Sequence, residues 1–161
     1  MASGLEHPGN CPRAATSTST SISEADAKTL TDRFNGIRDH SGSDLGDWRK
    51  TAERIFADEF RVHSNSYLAL KGRSLDDGVG SASKQGTIDL IGKTLDFVDV
   101  KTVGLIVPGG DTLVQTWEAK VGEQVVRGIG IIEVAKGGDL WQIKKWSTEF
   151  DNLSYRTGLD T

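Results

Sequence analysis

The sequence predicts an α+β fold in which a curved antiparallel sheet is packed on one face by helices. Three observations carry this. Apolar residues recur at three-and-four spacing in segments before residue 96, and from residue 97 onward they fall in long β-branched runs with period two. Short turn signals, PGGD, Gly-Glu and KGGD, separate those runs at hairpin spacing. Helical segments first and linked strands afterwards imply segregated layers.

Residues 1–22, MASGLEHPGNCPRAATSTSTSI, hold Gly, Pro and a Ser/Thr tract with almost no large apolar side chains. Such a segment cannot repay its ordering entropy, so a disordered tail is expected, followed by one domain over 23–161. Ser23 caps a first helix on which Ala27, Leu30, Phe34, Ile37 and Arg38 share a face, placing a cation beside the buried stripe. The turn HSGSD leads to a second helix from about Asp44, with Trp48, Ala52, Ile55 and Phe56 aligned. In RIFADEFRVHS, residues 54–64, the helical period gives way to a period of two without a break. Phe60, Val62 and Ser64 then face the core, and Arg61, His63 and Asn65 face away.

Residues 66–86 are Gly- and Ser-rich and long for a connection; a lid over a binding site and a plain surface insertion both fit. Thr87 caps a short helix with Ile88, Ile91 and Leu95 on one side. FVDVKTVGLIV, TLVQTWEAKV, QVVRGIGIIEVA and LWQIKKWSTEF follow as strands, and the Lys pair between Ile143 and Trp146 breaks the alternation as a bulge would.

Composition removes several classes of function. The chain has 19 basic and 23 acidic residues, a net charge of -4, and no dense run of Lys or Arg, so nucleic acid is not an expected partner. No stretch approaches the roughly 18 apolar residues of a membrane span, and no apolar signal run opens the chain; a cytoplasmic protein without a membrane partner is expected. The lone Cys11 lies in the tail, and no metal set, phosphate loop or nucleotide fingerprint appears, so no metal and no cofactor are expected.

A turn at Gly122 and Glu123 pairs Ala119 with Val126, Glu118 with Arg127, Trp117 with Gly128 and Gln115 with Gly130. The inner face then holds Leu113, Gln115, Trp117, Ala119, Val126, Gly128, Gly130 and Ile132. Two inward glycines signal either a bend or room for something close to the backbone. Outside, Glu118 and Arg127 form a cross-strand ion pair beside Val114, Ile129 and Ile131, an apolar surface that a homodimer would bury.

These features together, a helix ending in IFADEF, a strand with a polar residue at Ser64, a Gly before a short helix and final strands ending WSTEFD, resemble the nuclear transport factor 2-like superfamily, in particular its SnoaL-like branch. The resemblance covers about residues 24 to 151. It implies a cone-shaped sheet wrapped around the N-terminal helices, a cystatin-like α+β barrel with a pocket at its open end, in which the second helix closes the floor and its strand forms one wall. It does not fix a reaction, because the superfamily holds isomerases, hydrolases, dehydratases, cyclases and binding proteins. Steroid isomerases carry a base carboxylate at the place of Ser64, a tyrosine at that of Phe34 and a second acid near Gly130; all three are missing. Epoxide hydrolases carry an aspartate near Thr148, and Glu118 with Lys120 is a poor substitute for their remaining groups. Scytalone dehydratases use paired inward histidines, whereas His63 alternates outward and His40 ends a helix.

Arg38, one turn after Phe34, matches a pocket-lining position of the steroid isomerases and can polarise a carbonyl or steady an enolate. Glu149 and Asp151, near Trp146, are the candidate proton-moving groups, with the choice between them open. Ser64, Tyr67 and Gln115 can hydrogen-bond a ligand oxygen, and Phe34, Trp117, Gly130 and Trp146 complete the expected substrate-binding wall. The resulting expectation is a cofactor-independent isomerase, cyclase or hydro-lyase of secondary metabolism, acting on a hydrophobic, carbonyl-bearing small molecule. The alternative is a non-catalytic ligand-binding or protein-interaction module on the same fold.

Overall fold

Ser23 accepts a hydrogen bond from the Asp26 amide and starts α1, Glu24–Arg38, whose buried face carries Ala27, Leu30, Phe34, Ile37 and Arg38 as the spacing predicts. The computed structural model describes residues 21–72, 83–93 and 97–161. Within them follow α2 (Trp48–Ile55), β1 (Phe56–His63), α3 (Asn65–Leu70), α4 (Lys84–Lys93), β2 (Val98–Ile106), β3 (Thr112–Val121), β4 (Gln124–Gly137), β5 (Leu140–Phe150) and α5 (Asn152–Leu159). None of these helices is long and apolar enough to cross a membrane.

The fold starts slightly earlier than the tail boundary at residue 22 implies. Ile22 is buried in the core, and its amide donates to the Gly110 carbonyl at 3.2 Å. The second helix starts later than Asp44. Ser43 and Gly46 bridge each other in a tight turn, Asp44 is drawn to Arg33, and Asp47 becomes the cap by accepting from the Lys50 amide. That turn is held against α1 because Gly36 lacks a side chain: a Cβ there would lie 1.9 Å from the Gly42 carbonyl oxygen.

α2 passes straight into β1 at Phe56, which belongs to the strand and not to the helical face. No linker separates them, so Ile55, Phe56 and Phe60 reach one core. The long connection after β1 is not wholly irregular. Ser64 caps α3 by accepting from the Tyr67 amide, residues 73–82 and Leu95 lie outside the described residues, and α4 begins at Lys84. Thr87 is therefore a buried residue of α4 and not its cap; Ser83 accepts the Gly86 amide instead.

The five strands form one sheet in the order β1-β5-β4-β3-β2. β2 to β5 are antiparallel neighbours, and the β3–β4 register is the one read from the Gly-Glu turn, with Trp117 opposite Gly128 and Gln115 opposite Gly130. The bulge expected at the Lys pair is present, because Glu133 faces Lys145 while Val134 faces Ile143. The edge strand β1 runs parallel to β5. Local hairpin logic cannot reveal such a pairing, since Phe56 meets Ile143 and Val62 meets Trp146 with α3, α4 and three strands between them in the chain. The terminal helix α5 also escapes the sequence pattern: its buried residues are only Tyr155 and Gly158, too few to set a period.

The apolar interior divides into two clusters. One gathers α1, α2 and β1 around Phe34, Phe56 and Phe60; the other gathers Val100, Trp117, Val126 and Tyr155. The outer face keeps Ile129, Ile131 and Val103 exposed, and there Glu118 binds Lys101 at 2.7 Å as well as the expected Arg127 at 3.3 Å.

The inward glycines have a definite purpose, which is to seat indoles. A Cβ on Gly128 would meet Trp117 Cζ2 at 2.4 Å and the Glu149 carbonyl oxygen at 2.7 Å, and one on Gly130 would meet Trp146 Nε1 at 2.8 Å. The rings of Trp117 and Trp146 thus lie directly on the β4 backbone. We expect Gly128→Ala to destabilise the fold by about 2 kcal/mol through overpacking, read as a lower urea midpoint at unchanged slope.

Candidate functional site

Arg38 is the last residue of α1, one turn beyond Phe34, and the same helical face that buries Phe34 carries its guanidinium into the interior. The residue is 5% exposed. Its guanidinium carbon lies 3.9 Å from the Trp117 ring centroid, 5.1 Å from that of Trp146, 5.4 Å from that of Phe97 and 5.8 Å from that of Phe34. The cation is therefore held by ring faces and edges. None of its three nitrogens has a hydrogen-bond partner. Burial pushes the guanidinium down to about 9, with the nearby charge of Asp39 acting in the opposite direction. At neutral pH it remains a cation.

Arg33, five positions earlier, shows the contrast. Its Nε and Nη2 grip both carboxylate oxygens of Asp44 at 2.8 and 2.6 Å, and that bond raises its pKa. Arg38 has an acidic neighbour in Asp39, but that carboxylate is committed elsewhere. Asp39 Oδ1 accepts from the Ser41 amide and hydroxyl, and Oδ2 accepts from the Val100 amide at 3.2 Å.

Around the cage, donors exceed acceptors. The indole nitrogens of Trp117 and Trp146 are buried without acceptors. Gln115 donates through Nε2 to Thr102 Oγ1 at 2.7 Å and to Asn35 Oδ1 at 3.1 Å, while Asn35 Nδ2 donates to the same threonine at 3.0 Å. That leaves Gln115 Oε1 as a buried acceptor without a donor. Asn35 is a member of this interior set that the sequence reading passed over, although a polar residue three before Arg38 on an apolar helix face was a usable signal. Phe97 gave none, standing at the start of a strand as one more apolar residue.

The other expected site residues are placed as follows. Phe34, Gln115, Trp117, Gly130 and Trp146 lie on the interior side with Arg38, Phe34 and Trp146 in edge contact at 4.8 Å. Ser64 is buried, but its hydroxyl is used as the α3 cap. Tyr67 borders a separate groove of about 290 Å³ with Leu70, Lys71 and Tyr155. A larger groove of about 750 Å³ between α1 and β2 is lined by Lys28, Asp32, Asn35 and Lys101 among others, and not by Arg38.

The expected meeting of Arg38 with a carboxylate of the last strand does not occur. Glu149 alternates with the inward residues Thr148 and Phe150, and its carboxylate accepts from the Asn65 amide at 2.9 Å, the Ser66 amide at 2.7 Å and the Ser66 hydroxyl. Glu149 thus clamps the start of α3. Asp151 caps α5 by accepting from the amides of Leu153 and Ser154 and from the Ser154 hydroxyl, bonds that lower its pKa. His40 bonds to the Ile91 carbonyl through Nε2 and stacks on Trp48, away from the cage. Among the described residues no group of three His, Cys, Asp or Glu side chains is placed to hold a metal.

With this geometry the chain can be compared with known proteins. The family model described as NTF2-like domain matches residues 20–160. No curated protein matches the sequence. Among solved structures, a steroid delta-isomerase from Pseudomonas aeruginosa is similar at a TM-score of 0.55 and 15% identity, covering 86% of this chain and 91% of that one. A protein provisionally assigned as a SnoaL-like polyketide cyclase from Jannaschia sp. CCS1 is similar at 0.56 and 13% identity, with 83% and 93% covered. An uncharacterised bacterial protein with a cystatin-like fold from Silicibacter pomeroyi DSS-3 is similar at 0.55 and 12% identity, with 81% and 82% covered.

Proposed function

The chain belongs to the NTF2-like domain family, and from that premise and the cage around Arg38 we propose that it binds a hydrophobic small molecule inside the cone, with a ligand oxygen set against the guanidinium. The observation that carries this reading is the buried Arg38 with three unpartnered nitrogens. A buried donor without a partner costs about 1–3 kcal/mol, and more when charged. A ligand oxygen offsets that cost on binding. Trp117, Trp146, Phe97 and Phe34 supply flat apolar contact for a fused-ring body.

A second reading adds turnover to binding: a cofactor-independent isomerase, cyclase or hydro-lyase in which Arg38 steadies an enolate oxygen as negative charge develops. Its support is the fold shared with a steroid delta-isomerase and a SnoaL-like cyclase. The commitment of Glu149 and Asp151 to the starts of α3 and α5 favours binding without turnover, because neither carboxylate is partnered with the cage.

Two-dimensional NMR of the indole N–H groups tests the reading. Addition of 2-acetylnaphthalene is expected to shift the Trp117 and Trp146 signals and to leave Trp141, which donates to Asp26, and Trp48 in place. If fused-ring compounds bearing an oxygen leave all four signals unmoved, the cage around Arg38 is not a ligand site.

A further inference from the structure

Resting on the binding reading, we propose that the ligand set against Arg38 is a monoanion, a flat aromatic or fused-ring carboxylate whose single charge is matched by the guanidinium. Arg38 is 5% exposed and bonds to no carboxylate, carbonyl or hydroxyl. Both other cations that α1 carries toward neighbours are satisfied: Arg33 by Asp44 and Lys28 by Asp32. Among the described residues the interior therefore retains one positive charge without a paired carboxylate.

The unmatched polar atoms around that charge are mostly donors. Three guanidinium nitrogens and the indole nitrogens of Trp117 and Trp146 stand against Gln115 Oε1 as the acceptor on the same inner wall. A neutral carbonyl offers one oxygen and no charge. A carboxylate offers two oxygens in the plane of a guanidinium edge and removes the net charge as well.

The walls define the rest of the ligand. Aromatic faces and edges surround the cation on the sides described above, and they favour a ring system over an extended polar chain. Phe97 and Trp146 are half-buried while Phe34 and Trp117 are fully buried, so two of the four rings reach solvent. Among the described residues Arg38 is the cation these rings enclose, so a second negative charge meets no second cation there. Dianions such as phosphate esters are therefore poor ligands for this cage.

Calorimetry with three probes of one shape tests the proposal: 2-naphthoate, its neutral counterpart 2-acetylnaphthalene, and naphthalene-2,6-dicarboxylate. The expected result at neutral pH is that 2-naphthoate binds at least tenfold more tightly than 2-acetylnaphthalene, and that Arg38→Met removes this preference while circular dichroism and the melting transition show the variant folded. The dicarboxylate is expected to bind more weakly than 2-naphthoate. Equal affinity for the acid and the ketone, or a preference that survives in Arg38→Met, overturns the monoanion assignment and leaves the binding reading standing. If none of the three binds, the binding reading fails with it. Tighter binding of the dicarboxylate overturns the single-charge argument.

Discussion

Arg38→Met is expected to raise the stability of the unliganded protein by about 1–4 kcal/mol, which for a domain of this size lifts the melting temperature by roughly 3 °C per kcal/mol. The direction is unusual for a core substitution. It follows because methionine keeps most of the volume among Phe34, Phe97, Trp117 and Trp146 while removing a desolvated charge that has no partner. The pH dependence has a definite sign. Burial lowers the folded-state value of Arg38 to about 9, so between pH 9 and the ordinary arginine range the unfolded chain binds a proton that the folded chain has released. Stability contributed through this group rises with pH across that window, and the penalty is fully present below pH 9. The advantage of Arg38→Met is therefore largest at neutral pH and shrinks as pH increases above 9, measured by urea unfolding of both proteins at each pH. An advantage that stays constant across the window contradicts a charge-based origin.

Glu149→Ala is expected to act in the opposite direction, costing about 3 kcal/mol. Its carboxylate takes the amides of Asn65 and Ser66 and the Ser66 hydroxyl, and Ser66 is 8% exposed, so the truncated variant strands donors that water reaches poorly. Denaturant unfolding measures the loss, and amide exchange at Leu68 and its neighbours in α3 is expected to accelerate. The affinity of the Arg38 cage for 2-naphthoate is expected to change little. The opposite pattern, unchanged stability with lost turnover or lost binding, is what a proton-moving role for Glu149 requires.

The legible part of the structure is the part written in local periodicity. The stripe on α1, the Gly-Glu turn and the alternation of β3 and β4 fix which side chains face inward, and they place Phe34, Arg38 and Trp117 of the cage, whereas Trp146 on β5 and Phe97 before β2 lie outside them. Of the two readings open for Gly128 and Gly130, a bend or room for a close approach to the backbone, the contacts show the approach, and the approaching groups are the protein's own indoles. The expected site residues that lie apart from Arg38 stand near the ends of elements. At Ser64 and Asp151 the alternation stops, near Glu149 the strand is about to end, and what each side chain does depends on which unsatisfied helix amides lie within reach. Ser64, expected to bond a ligand oxygen, and Asp151, expected to move a proton, each cap a helix, and Glu149 reaches from β5 to the first amides of α3. The parallel seat of β1 beside β5 was hidden for a related reason, because the two strands share no turn.

That seat also dictates an order of events. Phe56 registers with Ile143, and Val62 with Trp146, so the earliest strand synthesised has no neighbour until the latest one exists. Contacts so distant along the chain slow folding and oblige the α2–β1 segment, with Phe56 and Phe60 on it, to wait with its apolar side uncovered. Translation that stalls anywhere before β5 leaves the chain with its first strand exposed and nowhere native to put it, a state suited to chaperone capture or aggregation.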